Sequence, residues 1–244
     1  MTDSCLVAKL SHYIELSPTE CTLLARLEES TEHYVRRDIV VEQGERIADI
    51  YVVKNGWICG HVSNASGVDL IAEIFYPGDV LGMSQLAFET STVTYIAATE
   101  LSLCPFPKEA LKTIFREHPR LVALFFAFTT LERATMIDRL RAMGQMSARD
   151  CVGLFFLQTK ARLKITGRAG ATWFQMPLSQ ELIGNAVGLS TVSVNRAIRQ
   201  LETEGHIRRQ GRMIEIVKPE VLGRELDFTD RHYRIDNSWF PLLD

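Results

Sequence analysis

Residues 178–217, LSQELIGNAVGLSTVSVNRAIRQLETEGHIRRQGRMIEIV, constrain this chain more than any other stretch. Two short helical patterns meet at Gly188-Leu189-Ser190, and a two-strand pattern follows. Ser179 suits the N-cap of the first helix, because its hydroxyl can accept from an orphan backbone N–H. Leu182, Ile183, Ala186 and Val187 then fall on one helical face. Gly188 suits the left-handed residue that closes a helix. Ser190 caps the second helix, whose inward stripe is Val194, Ala197, Ile198 and Leu201. Its opposite face carries Thr191, Val192, Ser193, Asn195, Arg196 and Arg199, with no acid before Glu202, so it can approach a polyanion.

Gly205 ends that helix. Residues 207–209 and 213–217 read as two strands around Gln210-Gly211, with Arg208, Arg209 and Arg212 at the tip. Helix, glycine and helix alone fit an ordinary hairpin with a solvated basic face. The strands and the capped, acid-free second helix favour a winged helix-turn-helix, one helix for a major groove and a basic wing for phosphates.

Charge supports this placement. Residues 1–146 hold 13 Lys+Arg against 19 Asp+Glu, residues 147–218 hold 11 against 5, and residues 219–244 hold 3 against 6. The middle block alone is suited to nucleic acid, and the overall net charge of −3 conceals it. The longest apolar run, near residues 121–128, is too short to span a bilayer, and residues 1–10 lack signal-peptide architecture. A cytoplasmic protein without a membrane partner is expected.

Cys5, Cys21, Cys59, Cys104 and Cys151 share no metal-ligand spacing, so neither a metal nor an iron–sulfur cluster is expected. Reduced, buried side chains are the simpler reading. Cys59 and His61, two apart on a strand pattern, point to one face and are the best haem or metal pair on offer, though nothing else indicates haem. No Ser/His/Asp, paired-carboxylate or phosphate-loop constellation appears, so an enzyme is not expected.

In chain order, residues 16–29 read as an entry helix behind Ser17-Pro18. Strand patterns follow over 37–42, 50–54, 57–62, 69–75, 93–98 and 101–105, with turns at Gln43-Gly44-Glu45, 63–67 and 76–79. Asn55-Gly56 has the preference of a type I′ hairpin. Such short, regularly spaced strands predict an antiparallel barrel or jelly roll. A helix over 109–117 precedes a long one opened by Pro119. Its first half is apolar nearly all round, so a second copy of the chain is expected to cover part of it, through Leu124, Phe128, Leu131, Ala134 and Ile137. Gly144 is expected to break this helix, leaving a hinge over 144–147. Ser147-Ala148-Arg149-Asp150 starts an amphipathic helix over 151–163, and 172–176 leads as a strand into the winged unit. Trp239, Phe240, Leu242 and Leu243 near the C-terminus are expected to dock on something. The fold class is α+β, divided into a β-roll sensor domain (1–118), a dimerisation helix and hinge (119–146), a winged helix-turn-helix domain (147–220) and a tail (221–244).

Roll, long helix, hinge and winged unit, in that order, resemble the CRP/FNR family of bacterial regulators over nearly all of residues 16–217. The likeness is most specific in PLSQELIGNAVGLSTVSVNRAIRQLETEGHIRRQGRMIEI and next in FYPGDVLGMSQL. It implies a homodimeric transcription factor, with an inverted-repeat DNA site, a second copy and RNA polymerase as partners. It places base contacts at Thr191, Val192, Ser193 and Arg196. Ser179, Ser190, Asn195, Arg199, Arg208, Arg209 and Arg212 are the expected backbone contacts. Val192 stands where many members have a Glu.

The same likeness gives Gly82, Met83, Thr94 and Thr135 as candidate effector-pocket residues. Gly82 matches the family's glycine, but Met83 occupies the place of the ribose-binding Glu. The Arg-Ser place falls at Thr92 to Thr94, and no Lys or Arg occurs between Lys54 and Lys108. A buried phosphodiester needs a cation or a rich nest of N–H groups. Cyclic AMP is therefore not expected, which leaves an apolar ligand, haem, a redox event at a cysteine, or no effector. A protein-binding roll with vestigial DNA binding is the alternative function.

Overall fold

The computed structural model describes residues 4–63 and 69–241. It forms two compact units: Met1–Val62, Ala72–Glu132 and Arg234–Asp244 make the first, and Ser63–Ile71 with Arg133–Tyr233 the second. Leu242, Leu243 and most of the expected turn over 63–67 lie outside the described residues.

The first unit opens on a helix that no sequence pattern announced, α1 (Cys5–Leu10). The Glu28 carboxylate accepts from the Ser4 hydroxyl and from the Cys5 and Leu6 amides, so an acid closes the positive end of this helix. In α2 (Pro18–Arg26), Ser17 and Glu20 form a reciprocal capping box. The roll strands follow: β1 (Glu32–Tyr34), β2 (Ile39–Val41), β3 (Asp49–Asn55), β4 (Ile58–Ser63), β5 (Asp69–Phe75), β6 (Val80–Leu81), β7 (Thr94–Ala97) and β8 (Leu101–Pro107). They make two four-stranded sheets, ordered β1-β8-β3-β6 and β2-β7-β4-β5, that enclose a core including Val53, Ile58, Phe75, Tyr95 and Leu103. A 3₁₀ turn, Met83–Gln85, follows β6.

The expected hairpin at Asn55-Gly56 is a correction. A type I′ turn needs positive φ at both central residues, and only Gly56, at φ 83°, has it. β3 pairs with β6 and β8, whereas β4 pairs with β7 in the other sheet, so the dipeptide carries the chain between sheets. Gly56 is demanded by close approach as well, since a Cβ there would lie 2.1 Å from the Glu100 carbonyl oxygen. Both turn types select the same residue, so sequence cannot separate them.

After α3 (Ala110–Glu117) comes α4 (Pro119–Gln145), which gives its first half to one unit and its second to the other. Gly144 does not break it. A glycine inside a helix costs only about 1 kcal/mol relative to alanine, and the Met146 amide still bonds the Ala142 carbonyl. The break falls at Met146-Ser147, where the Ser147 hydroxyl accepts from the Asp150 amide and caps α5 (Ala148–Ile165). That helix is not amphipathic as expected: every residue from Cys151 to Ala161 is buried, because α6, α7 and α8 all pack on it.

The rest of the second unit is β9 (Trp173–Gln175), α6 (Gln180–Val187), α7 (Thr191–Thr203), β10 (Ile207–Gln210), β11 (Met213–Ile216) and α8 (Pro219–Glu225), with the sheet ordered β10-β11-β9. In the first unit the tail returns to α4. Phe240 is buried, Trp239 meets the Phe126 ring edge-on at 6.3 Å, and Asn237 donates to the Tyr13 carbonyl. Among the described residues, no helix is long and apolar enough to cross a membrane.

Candidate nucleic-acid interface

Local chemistry sets the two helices. The Ser179 hydroxyl accepts from the Leu182 amide, and the Ser190 hydroxyl from the Ser193 amide, so both serines act as N-caps. Gly188, at φ 70°, closes α6, and the Met143 methyl lies where a Cβ on it would go. Val194, Ala197, Ile198 and Leu201 are buried and hold α7 on the unit. The outward face presents Thr191, Val192, Arg196 and Arg199, all exposed, with Ser193 and Asn195 half-buried. Val192, an apolar side chain, is 61% exposed on this polar surface. Asn195 donates to the Gln180 side chain, which ties α7 to the start of α6.

The arginines divide into two sets. Among the described residues neither Arg196 nor Arg199 has a carboxylate within ion-pairing distance, so both forks are open to a ligand. In the wing, Arg208 lies 3.3 Å from Glu215 and Arg209 lies 3.4 Å from Glu202, while Arg212 is exposed beside Gly211 at φ 59°. The wing basicity counted from sequence is thus partly neutralised.

A positioning residue that sequence reasoning missed is Arg149. Its guanidinium reaches Asp150 at 2.8 Å, Glu204 at 2.8 Å and Glu225 at 3.1 Å, joining the start of α5 to the ends of α7 and α8. Burial disfavours its charge, but these three hydrogen bonds outweigh burial and raise its pKa further. Burial likewise opposes the Asp150 charge, and the bonds from Arg149 and Ser147 overcome it, so that carboxyl titrates below its usual range. In sequence Arg149 is one letter of a capping pattern, and two of its partners, Glu204 and Glu225, lie more than fifty residues away.

Comparison with known proteins agrees with this geometry. A family model described as "Crp-like helix-turn-helix domain" matches residues 152–225, and one described as "Cyclic nucleotide-binding domain" matches residues 31–118. The regulatory protein HlyX of Actinobacillus pleuropneumoniae is 23% identical over 90% of this chain and 91% of its own length. The transcriptional activator protein anr of Pseudomonas aeruginosa is 21% identical over 87% of each chain. FixK2 from Bradyrhizobium japonicum shares the fold, with a TM-score of 0.71 at 22% identity, over 80% of this chain and 96% of its own. The chain belongs to the CRP/FNR family of transcriptional regulators. Its second unit carries the DNA-binding helix-turn-helix of that family, and regulators of this kind are not enzymes.

In the described part of the roll, several polar side chains are paired with one another. Gly82, at φ 100°, caps the turn as the family's glycine does, and Met83 faces a cleft of about 30 Å³ beside Leu6, Lys9 and Phe125. At the place of the Arg-Ser pair, the buried Gln85 side chain accepts from both the Thr92 amide (3.0 Å) and the Thr92 hydroxyl (2.9 Å). Thr94 accepts from the Gln43 amide. Tyr95 fills the core and donates to Glu73 at 2.8 Å. Burial and the Glu73 charge push its phenol far above the ordinary range. Lys9 of α1 is engaged with Asp79. Among the described residues, Gln85 and Thr92 bond each other near the place where the resemblance puts the phosphate, and the half-buried Glu73 carboxylate accepts from Tyr95. Thr135 is buried on α4 and belongs to the second unit.

Cys59 and His61 are both buried on β4. Among the described residues no three His, Cys, Asp or Glu side chains cluster closely enough to hold a metal. Burial pushes the Cys104 and Cys151 thiols up, away from the reactive thiolate.

The long helix differs in detail from the expected seam. Leu124 is fully buried by its own unit, as are Leu121 and Phe125, so the roll covers more of the apolar half than its composition implied. Phe128 is half-buried and stacks on Tyr13, and Leu131 and Ala134 are half-buried. Ile137, at 55%, is exposed, as is Leu140, which continues the same sequence stripe; Phe126, Met136 and Met143 are exposed as well.

Proposed function

We propose that this regulator is a homodimer that reads an inverted-repeat site through α7 and is not controlled by cyclic AMP. The observation that carries the reading is the face of α7, where Arg196 and Arg199 are exposed and without an acidic partner among the described residues, next to an exposed Val192. Arg196 aims its fork at a guanine, and the Val192 methyls meet a thymine methyl where other members place a Glu. Thr191 and Ser193 complete the base-reading set. Ser179, Ser190, Asn195, Arg199, Arg208, Arg209 and Arg212 contact the phosphate backbone and set register. The working blocks are 1–118, 119–146, 147–220 and 221–244. Two copies pair along the exposed stripe of Ile137, Met136, Leu140 and Met143, with half-buried Leu131 and Ala134 beside it. The DNA site is palindromic because the dimer axis imposes its symmetry. Cytoplasmic location and contact with RNA polymerase follow from that role.

The decisive experiment is selection from random DNA with the full chain. The expected motif is an inverted repeat with a guanine and an A·T step in each half-site. A motif with G·C at the Val192 step overturns that assignment, and an asymmetric single site overturns the dimer. Light scattering is expected to give about twice 27.6 kDa. Calorimetry with cyclic AMP is expected to show no saturable heat.

A further inference from the structure

The second unit also holds a groove of about 680 Å³ between α5, α8 and the segment that follows α8, in the size range of small-molecule sites at about 300–1,000 Å³. Its floor is apolar, from Leu157, Ala161 and Phe228. Lys160 of α5 lines it and is only 9% exposed. Among the described residues this ammonium has no hydrogen-bond acceptor and no ion-pair partner within bonding distance. The stem is buried while the ammonium reaches the groove, where an anion placed against it gains an opposite charge and is partly shielded from water.

We propose that this groove binds a small monocarboxylate with an apolar body, its carboxylate against Lys160 and its body along Leu157, Ala161 and Phe228. Lys164 and Arg224 stand at the exposed rim and add attraction. Glu220, Asp227 and Asp230 line the same groove and set the charge limit. They oppose a dianion such as phosphate, while the Lys160 ammonium matches one negative charge. The surroundings of Lys160 agree: burial first, then Lys164, lower its pKa, and the more distant Glu220 and Asp230 only partly offset this. A bound carboxylate must therefore raise that pKa, because an opposite charge favours the ammonium. α5 packs directly on α7, so the occupant touches the helix that supports the DNA-reading element.

The test is calorimetry on the full chain with sodium benzoate and sodium hexanoate, with benzamide as the neutral isostere and inorganic phosphate as the dianion. One site per chain is expected for the carboxylates, with no saturable heat from benzamide and phosphate weaker. Lys160→Met, which keeps the apolar stem, is expected to weaken benzoate at least about tenfold. Lys218→Met, an exposed lysine outside the groove, is expected to leave binding unchanged. Should Lys160→Met fail to fold, Lys164→Gln and Arg224→Gln are each expected to weaken benzoate roughly two- to threefold. In addition, the reductively methylated Lys160 resonance is expected to titrate at higher pH with benzoate present. No saturable heat with either carboxylate at about 10 mM overturns the proposal. So does benzoate binding that is indifferent to Lys160→Met and the rim variants, or phosphate binding tighter than benzoate.

Discussion

Thr92 in the roll, at the place of the family's Arg-Ser pair, and Arg196 on α7, at an expected base contact, have opposite surroundings. Gln85 is buried and spends its side-chain oxygen on Thr92, and nearby Tyr95 spends its hydroxyl on Glu73. Arg196 stands exposed with five donors and no acidic partner among the described residues. A folded chain satisfies its buried polar groups internally or with water, but it can leave exposed donors for a partner. The contrast teaches that a matching domain outline does not by itself carry the groups a ligand needs. On the reading proposed above, the roll keeps the glycine turn while Gln85 and Thr92 bond one another, whereas α7 leaves Arg196 open among the described residues.

The largest expected effect concerns what holds the open face in place. Arg149→Met is expected to destabilise the second unit by roughly 2–3 kcal/mol, because three charge-assisted hydrogen bonds from a half-buried fork are lost together, discounted for the exposed carboxylates of Glu204 and Glu225. Urea denaturation followed by circular dichroism measures it, and a loss below about 0.5 kcal/mol means that the apolar stripe of α7 suffices. The same network sets an acid limit. The Asp150 carboxyl is held below its ordinary value of 3.8 and the Glu204 carboxyl below its ordinary 4.5, the latter first by its bond from Gln200. Carboxyls lowered by folding stabilise the fold above their unfolded values, and that stability is lost as pH falls through the folded ones. Stability is therefore expected to drop from about pH 4.5 downward, and Arg149→Met is expected to flatten that decline.

Next in size is Arg196→Ala, expected to cost about 1–3 kcal/mol on the selected site and little on random DNA. Equal losses on both sequences mean that Arg196 touches only phosphate, and the open face then carries no base reading. Gln85→Ala sharpens the other side of the comparison. It leaves the Thr92 amide and hydroxyl without their acceptor, at about 1–2 kcal/mol, read by thermal unfolding of the roll. Calorimetry with cyclic AMP is expected to stay silent in this variant. Binding that appeared on removing Gln85 would show a plugged pocket instead of an absent one, and the contrast with α7 would collapse. Smallest is Arg208→Ala, because Glu215 already occupies that arginine. Affinity is expected to fall by no more than about 1 kcal/mol on every sequence alike, with the salt slope reduced by about 1.

Much of the second unit was legible because its signals are local. Ser179, Gly188 and Ser190 act within one turn of their own position, and Val194, Ala197, Ile198 and Leu201 repeat at helical spacing, so their burial followed from periodicity alone. The strand pattern of the roll was legible for the same reason. Which strands pair was not: Asn55-Gly56 reads alike as a hairpin turn and as a crossing between sheets, and the choice is made by β8, about fifty residues away. Leu124 and Ile137 show the same limit on one helix. Both are apolar, but only the fold decides that Leu124 is covered by its own unit while Ile137 is left exposed. The missing cation of the roll, the acid-free face of α7 and the caps were determined by the sequence, since each depends on residue type at a given place. The closure of Gln85 on Thr92, the pairing of Arg149 with Glu204 and Glu225, and the burial of the Lys160 stem were decided by tertiary structure. A side chain's partners are set by which distant segments pack beside it, and neither periodicity nor local propensity contains that information.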